Sequence, residues 1–246
     1  MNLTVLASSS AGNGYLLTNG RETLIIEAGI RLKSVKGALN FSLTGIAGCL
    51  VSHRHGDHSK YIREYAMAGI SILTSRDVMD RQDPLIARTM CRELSEGKGY
   101  KTGNFKIIPF SVEHDVPCLG FLINHPETGN ILFATDTYLL EYTFPGLNHI
   151  LIEANYFDDR LEDNIVSGRV HPSQRPRLLQ THMELETCKD ILRANDLSKV
   201  VSIVLLHLSS DNSDEERFVR EVREITGKQV FAAKRGLTID MNINPY

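Results

Sequence analysis

The sequence lacks several things, and each absence excludes a class. No run approaches the ~18 apolar residues that a membrane-spanning helix needs, so no membrane partner is expected. No Cys-x-x-Cys pair occurs. The four cysteines, Cys49, Cys91, Cys118 and Cys188, each sit in or near an apolar run. They read as buried free thiols of a reducing cytosol rather than as a disulfide framework. Met1-Asn2-Leu3-Thr4-Val5-Leu6 lacks a basic lead-in and reads as a strand, not a signal peptide, so a cytoplasmic location is expected. There is no excess of positive charge: 27 Lys and Arg stand against 30 Asp and Glu, a net charge of −3. Long-range attraction to nucleic acid is not guaranteed, and any polyanion site must be local. No repeat, low-complexity tract or linker stands out. Residues 1–246 therefore read as one domain of ordinary globular composition, 42% hydrophobic and 23% charged. Nothing in the pattern speaks to oligomeric state.

What is present begins with Ser52-His53-Arg54-His55-Gly56-Asp57-His58. Three of the chain's nine histidines and one aspartate fall between positions 53 and 58. The apolar run 46–51 leads in and a helical-looking run, 59–68, leads out. A loop between a strand and a helix can turn several side chains to one side. Imidazole nitrogens with a carboxylate suit zinc, and carboxylates also admit manganese or iron.

Strands are expected at 2–7, at 15–18 and 23–27 as a hairpin around Asn19-Gly20, and at 46–51, 70–74, 105–112, 119–124, 131–134, 150–152, 200–206 and 230–233. Helices are expected at 31–39, 59–68, after the cap Ser75, from Asp83-Pro84, at 184–194 and at 214–225 with Ser213 as cap. Residues 76–101 carry much charge and little periodicity, and 155–180 reads as a polar stretch. The small-residue turn Ser8 to Gly14 presents N–H groups to an anion or to a neighbouring loop. Hairpins first and helix alternation later suggest mixed sheets covered by helices.

His53, His55, His58, His114, Asp136 and His207 each lie at or just past the end of an apolar strand, where strand ends converge on one edge. Taken singly, His114 reads as a loop histidine, Asp136 as a helix cap and His207 as a buried, hydrogen-bonded histidine. The clustered motif shifts that balance, because it cannot complete two metal shells alone. The pattern His-x-His-x-Asp-His, then a His, an Asp and a final His after later strands, resembles the metallo-β-lactamase fold hydrolases from Glu27 to His207. The resemblance implies an α/β fold of mixed sheets, a four-layer αββα sandwich with a dinuclear metal site at its edge. It implies that His53, His55 and His114 hold one ion, that Asp57, His58 and His207 hold the other, and that Asp136 bridges. The ions would be zinc or manganese, with iron also admitted, and the bridging water is the implied nucleophile. Glu27 departs from the family's usual Asp and is expected beside the ligands rather than among them.

The substrate side rests on three features. Asp136 as a bridging carboxylate resembles the phosphodiesterase and glyoxalase II branches. Glu153, with Thr181-His182-Met183-Glu184, looks like the Glu and His elements of the tRNA 3′-processing phosphodiesterases. That implies His182 as general acid and Glu153 as its partner, so that Asp57, His182 and Glu153 are the expected catalytic residues. The run 165–182 contains Arg169, Arg175 and Arg177 and no carboxylate, and reads as a basic loop for phosphates. The segments Leu6 to Asn13, Glu113 to Phe121 and Leu206 to Ser209 look like the YycJ/WalJ-like subgroup. That subgroup is associated with 5′-to-3′ exodeoxyribonuclease activity and DNA repair, which implies DNA as substrate. Thr181-His182-Met183-Glu184 departs from its usual Gly-His-Leu-Ser. The span from Asp136 to His207 is too short for a β-CASP insertion. The rival readings are a small-molecule hydrolase of the same fold, either a cyclic-phosphate diesterase or a glyoxalase II-like thioesterase, and a non-catalytic metal-binding module.

Overall fold

The computed structural model describes residues 1–243, and its strands form two seven-stranded sheets. The first sheet holds β1 (Asn2–Ala7), β2 (Gly14–Thr18), β3 (Thr23–Ile26), β4 (Ile46–Val51), β5 (Ile72–Thr74) and β6 (Cys91–Glu93). The second holds β7 (Tyr100–Thr102), β8 (Phe105–Val112), β9 (Cys118–His125), β10 (Gly129–Ala134), β11 (Leu147–Glu153), β12 (Ser202–Leu206) and β13 (Gln229–Ala232). A last strand, β14 (Thr238–Asp240), returns to pair antiparallel with β1. The orders are β14-β1-β2-β3-β4-β5-β6 and β13-β12-β11-β10-β9-β8-β7. Each sheet changes character midway. Strands β1 to β3 and β7 to β10 pair antiparallel, while β3 to β6 and β10 to β13 pair parallel.

Helices α1 (Leu32–Ala38), α2 (Gly56–Ser59), α3 (Ile62–Met67), α4 (Arg76–Met79) and α5 (Pro84–Met90) belong to the first half. Helices α6 (Asp158–Val166), α7 (Arg175–Thr181), α8 (Leu185–Ala194) and α9 (Glu215–Thr226) belong to the second. Strand alternation sorts the apolar side chains into layers. One parity, including Leu3, Tyr15, Leu24, Ile26 and Leu50, meets Phe121, Ile131, Phe133, Leu151 and Val204 between the sheets. The other parity packs outward. Ile25, Cys49 and Val51 meet Val35, Ile62 and Tyr65, and Leu132, Ile150 and Leu205 meet Cys188, Leu192 and Phe218. The result is the expected αββα sandwich. Each fully buried Leu, Ile or Phe contributes about 1.5–3 kcal/mol to it.

The structure differs from the sequence reading in several places. The helix expected at 59–68 is two pieces. One begins inside the motif at Gly56, and the chain breaks where the Tyr61 N–H bonds the Ala28 carbonyl at 3.0 Å. The cap of α9 is Asp214, whose carboxylate accepts from the Arg217 N–H, while the Ser213 hydroxyl donates to the Ser209 carbonyl. The polar stretch 155–180 contains α6 and α7, held by their own small cluster of Tyr156, Leu161, Val170, Leu178 and Leu179. The expected basic loop is thus largely helical. The free cysteines are buried except Cys91, which is half-buried. Among the described residues, no helix is long and apolar enough to cross a membrane.

Candidate metal centre

The strand ends converge as the chain order requires. The turn after β4 brings His53 and His55, α2 brings Asp57 and His58, and the ends of β8, β10 and β12 bring His114, Asp136 and His207. Ligand-capable atoms form two groups within 4.8 Å, namely His53, His55, His114 and Asp136, and Asp57, His58, Asp136 and His207. Asp136 is common to both. Its Oδ2 lies 3.2 Å from His58 Nε2 and 3.8 Å from His53 Nε2, between the groups. Its Oδ1 accepts from the Thr135 hydroxyl at 2.9 Å.

In the first pocket, the carbonyl of Thr181 accepts from His114 Nδ1 at 3.1 Å, and Asp115 Oδ1 lies 3.3 Å from His55 Nε2. The Thr181 bond leaves His114 Nε2 as a lone pair, and it lies 3.2 Å from His55 Nδ1. Asp115 Oδ1 adds a second acceptor 3.1 Å from His114 Nε2. A cation reconciles two acceptors that face one another.

The second pocket is the deeper one. His58 Nε2 lies 3.3 Å from Asp57 Oδ2, and His207 Nε2 lies 3.6 Å from the same oxygen. Glu27 is fully buried behind it. Its Oε2 accepts from the Ser52 N–H at 3.3 Å, and its Oε1 faces His58 Nδ1 at 3.3 Å without hydrogen-bond alignment. The turn Ser8 to Gly14 buttresses this pocket. Asn13 Nδ2 lies 2.9 Å from His58 Nε2 and donates to the Asp57 carbonyl, and Ser8 Oγ accepts the His207 N–H at 2.9 Å. That is the neighbouring-loop role rather than anion binding. Gly29 packs so closely on the Asp57 carbonyl that a Cβ would collide with it.

Two observations test whether ions fit. His53 Nε2 and His207 Nε2 are buried with no hydrogen-bond partner among the described residues, one in each pocket. The carboxylates Asp57, Asp136 and Glu153 have only histidines as ion-pair partners among the described residues. Buried negative charge without a fixed cation is costly unless a metal or a proton supplies the balance. In the protein alone, protons do so. Burial works against the His207 imidazolium, but Asp136, Asp57 and Glu153 push its pKa up to about 10. His58 is likewise held charged against its burial, chiefly by Asp136 and Glu27. His53 goes the other way, kept neutral by burial and by His58. Despite its burial, Asp136 stays well below the usual carboxylate range because of His207 and His58. The set fits two cations, and filling the second pocket releases protons.

No family model matches the chain. Exodeoxyribonuclease YycJ of Bacillus anthracis is 23% identical over 252 residues, covering 97% of this chain and 94% of that protein. Exodeoxyribonuclease WalJ of Streptococcus pneumoniae is 23% identical over 256 residues, covering 98% and 92%. Among solved structures, the metallo-β-lactamase fold protein YhfI from Bacillus subtilis superposes with a TM-score of 0.72 at 17% identity, covering 97% of this chain and 99% of that one. The short form of human tRNase Z gives 0.64 at 16% identity, covering 98% and 99%.

The chain has the metallo-β-lactamase fold.

Within that fold the residues singled out from the sequence are distributed as follows. The seven metal-capable residues lie together. Glu153 and His182 lie against them. Glu153 Oε1 accepts from His182 Nδ1 at 2.7 Å, and its Oε2 accepts from the Thr137 and Met183 N–H groups. The His182 ring stacks on His207 with centroids 5.2 Å apart. A third group of donors, Asp136, Glu153, His182 and His207, is geometrically possible. Glu153 already accepts three hydrogen bonds, which suits it to orienting His182 better than to a cation. The arginines stand apart: Arg169 and Arg177 are exposed, and Arg175 pairs with Glu162 at 2.5 Å. Sequence reasoning missed Asp115, Gly29 and Asn155, whose Nδ2 donates to the His207 carbonyl at 2.7 Å. Only Asp115, adjacent to His114, carried a local signal.

Proposed function

We propose that the protein is a dinuclear metal-dependent phosphodiesterase acting on nucleic acid, with 5′-to-3′ cleavage of DNA as the specific reading. The observation that carries it is the His182–Glu153 pair, 2.7 Å apart, beside the carboxylate common to both pockets. His53, His55 and His114 would hold one ion and Asp57, His58 and His207 the other, with Asp136 common to both groups. Two divalent ions bound there, zinc or manganese with iron admitted by the same donors, would supply an activated water and stabilise the charge of the reacting phosphate.

The chain's own residues do the rest. Glu153 takes the Nδ1 hydrogen bond of His182 and leaves Nε2 as the nitrogen available to substrate. Burial disfavours the imidazolium, but Glu153 raises its pKa, so the ring carries a proton to give to the leaving oxygen. The Thr181 carbonyl fixes the ring of His114, and the Asp115 carboxylate lies beside His55. The names of the YycJ and WalJ relatives support a DNA substrate and, through the resemblance, a place in DNA repair. The free cysteines support a reducing, cytoplasmic setting.

One digestion panel tests the reading: end-labelled single- and double-stranded DNA and RNA, with zinc, manganese and iron in turn. Progressive shortening of DNA that requires metal is expected, and no cleavage of any nucleic acid at full metal occupancy would sink it. His182→Ala should slow cleavage by roughly 10²–10⁴-fold while metal content stays at two ions. Loss of an ion in that variant would instead make His182 a ligand. One observation favours a small diester as the second reading. Arg175 is paired with Glu162, and α6 adds Asp158, Asp159 and Asp163 beside the arginines. The relative rates on bis-p-nitrophenyl phosphate and on long DNA decide this, since a small-diester enzyme favours the first and a nuclease the second.

A further inference from the structure

Charge is unevenly spread around the metal centre. From Ala28 to Ala68, through α1 and the metal motif, the chain has six Lys and Arg against two carboxylates, Asp57 in the second pocket and Glu64. From Asn155 to Glu186, on the His182 side, it has four Arg against six Asp and Glu. In a protein of net charge −3, cations are thus in excess in the segment that carries the metal motif and not in the one with the arginine run, although Arg54 is paired with Asp77.

Three of these cations, with Arg235 from a distant loop, lie at the surface of this region. Lys60 stands two residues after His58. Its Nζ and the Arg31 guanidinium both lie over the Tyr61 ring, 5.6 and 5.3 Å from the centroid. The ring thereby holds two exposed charges in place. Lys33, two residues beyond Arg31, lines a groove of about 480 Å³ with Arg235, Ser34, Thr4 and Leu6, and no carboxylate lines it. Both walls of the groove are close along the chain to residues that brace the metal centre. Leu6 is two residues from Ser8, which accepts the His207 N–H, and Lys33 is four residues from Gly29, which packs on the Asp57 carbonyl. Lys33, Lys60 and Arg235 have no ion-pair partner among the described residues, and Arg31 shares Glu64 at 3.2 Å.

We propose that Lys60, Arg31, Lys33 and Arg235 form the track that holds the phosphate backbone of the substrate strand away from the scissile bond. The proposal rests on the phosphodiesterase reading above and adds where the polymer lies. Cations along a groove without acidic side chains bind backbone rather than sequence, so binding is sequence-tolerant and falls steeply with salt.

The test is the salt dependence of binding to a fluorescent, phosphorothioate-linked DNA oligonucleotide. The metal-loaded wild type is compared with Lys33→Gln/Arg235→Gln and Arg169→Gln/Arg177→Gln. A single-strand phosphate contact contributes a slope of about 0.7 in log K against log salt, so the first pair should lower the slope by about 1.4 and the second should leave it unchanged. Lys33→Glu/Arg235→Glu should weaken binding further, with melting temperatures reported for each variant. An unchanged slope in Lys33→Gln/Arg235→Gln, with a lowered slope in Arg169→Gln/Arg177→Gln, overturns the track and leaves the enzymatic reading standing. A wild type that hydrolyses bis-p-nitrophenyl phosphate but neither binds nor cuts the oligonucleotide overturns both the nucleic-acid reading and the track.

Discussion

The second sheet has two ends, and its buried histidines are treated oppositely at each. At the start of β11, His149 donates from Nε2 to the Met241 carbonyl at 2.9 Å and accepts at Nδ1 from the Ser202 hydroxyl at 2.8 Å. Every polar atom of the ring is used. Just past the end of β12, His207 is as deeply enclosed, yet its Nε2 has no hydrogen-bond partner among the described residues. The backbone repeats the contrast. Of five non-glycine residues at positive φ among the described residues, three lie at the metal centre: Glu27, Asp136 and His207 at 68°, 49° and 53°. Such conformations cost of order 1–3 kcal/mol each and persist where the surroundings hold them. Burial alone therefore does not separate a structural histidine from a ligand. What separates them is whether the chain itself supplies the partner.

The contrast breaks most severely at Asp136. Asn tolerates a left-handed backbone about as well as Asp, so Asp136→Asn removes charge without adding strain. We expect loss of both bound ions by metal analysis, no detectable hydrolysis, and a circular dichroism spectrum like that of the wild type. Retention of two ions would show that the pockets do not depend on a common carboxylate.

The opposite end should respond in stability and not in metal. Burial, against the Met241 hydrogen bond, lowers the His149 pKa to about 4, from about 6.5 in the unfolded chain. The unfolded state then binds the extra proton between those values. The contribution of this site is full above pH 6.5 and is lost as pH falls to 4, about 3 kcal/mol in all. His149→Gln keeps a donor and an acceptor but does not titrate. Urea denaturation at pH 7, 5.5 and 4 should show a shallower loss for the variant, with two ions bound at neutral pH. Parallel pH profiles would mean that His149 does not titrate in this range.

Gly29 sharpens the comparison within the functional end. In Gly29→Ala the added Cβ meets the Asp57 carbonyl, backbone against backbone, so the motif loop must shift. Overpacking of this kind costs about 1–3 kcal/mol. The second pocket should lose its ion while the first keeps its own, read by metal stoichiometry with a melting curve. A variant that binds two ions normally would show the loop to be slack.

How much of this was legible depends on range. Strands β1, β4 and β8 coincide with their expected bounds because alternation or a continuous apolar run is a local signal. Strands β6, β7 and β14 are three residues long, too short for any period to register. Helices α6 and α7 escaped because their apolar residues, Leu161, Leu178 and Leu179 among them, form one cluster only after the two helices meet. The metal-capable residues stood out because four of them sit in one hexapeptide and the others end apolar strands. Asn13, 45 positions from His58, sits in a turn singled out for its backbone N–H groups, but its side chain gave no such sign. Its role exists only once β1 and β2 place their turn beneath the motif.

That difference in range gives the finest test. Asn13 braces the deep pocket through the Asp57 carbonyl, while Asp115, 38% exposed, lies beside His55 of the open one. Removing an outer partner of a ligand typically weakens metal binding by about 10–100-fold. Asn13→Ala should therefore weaken one ion and Asp115→Ala the other, resolved as two separate steps in competition titrations against a chelator. The two substitutions share no partner, so their effects should add in the double variant. If both weaken the same step, the pockets are one coupled site, and the division into a deep and an open half is wrong.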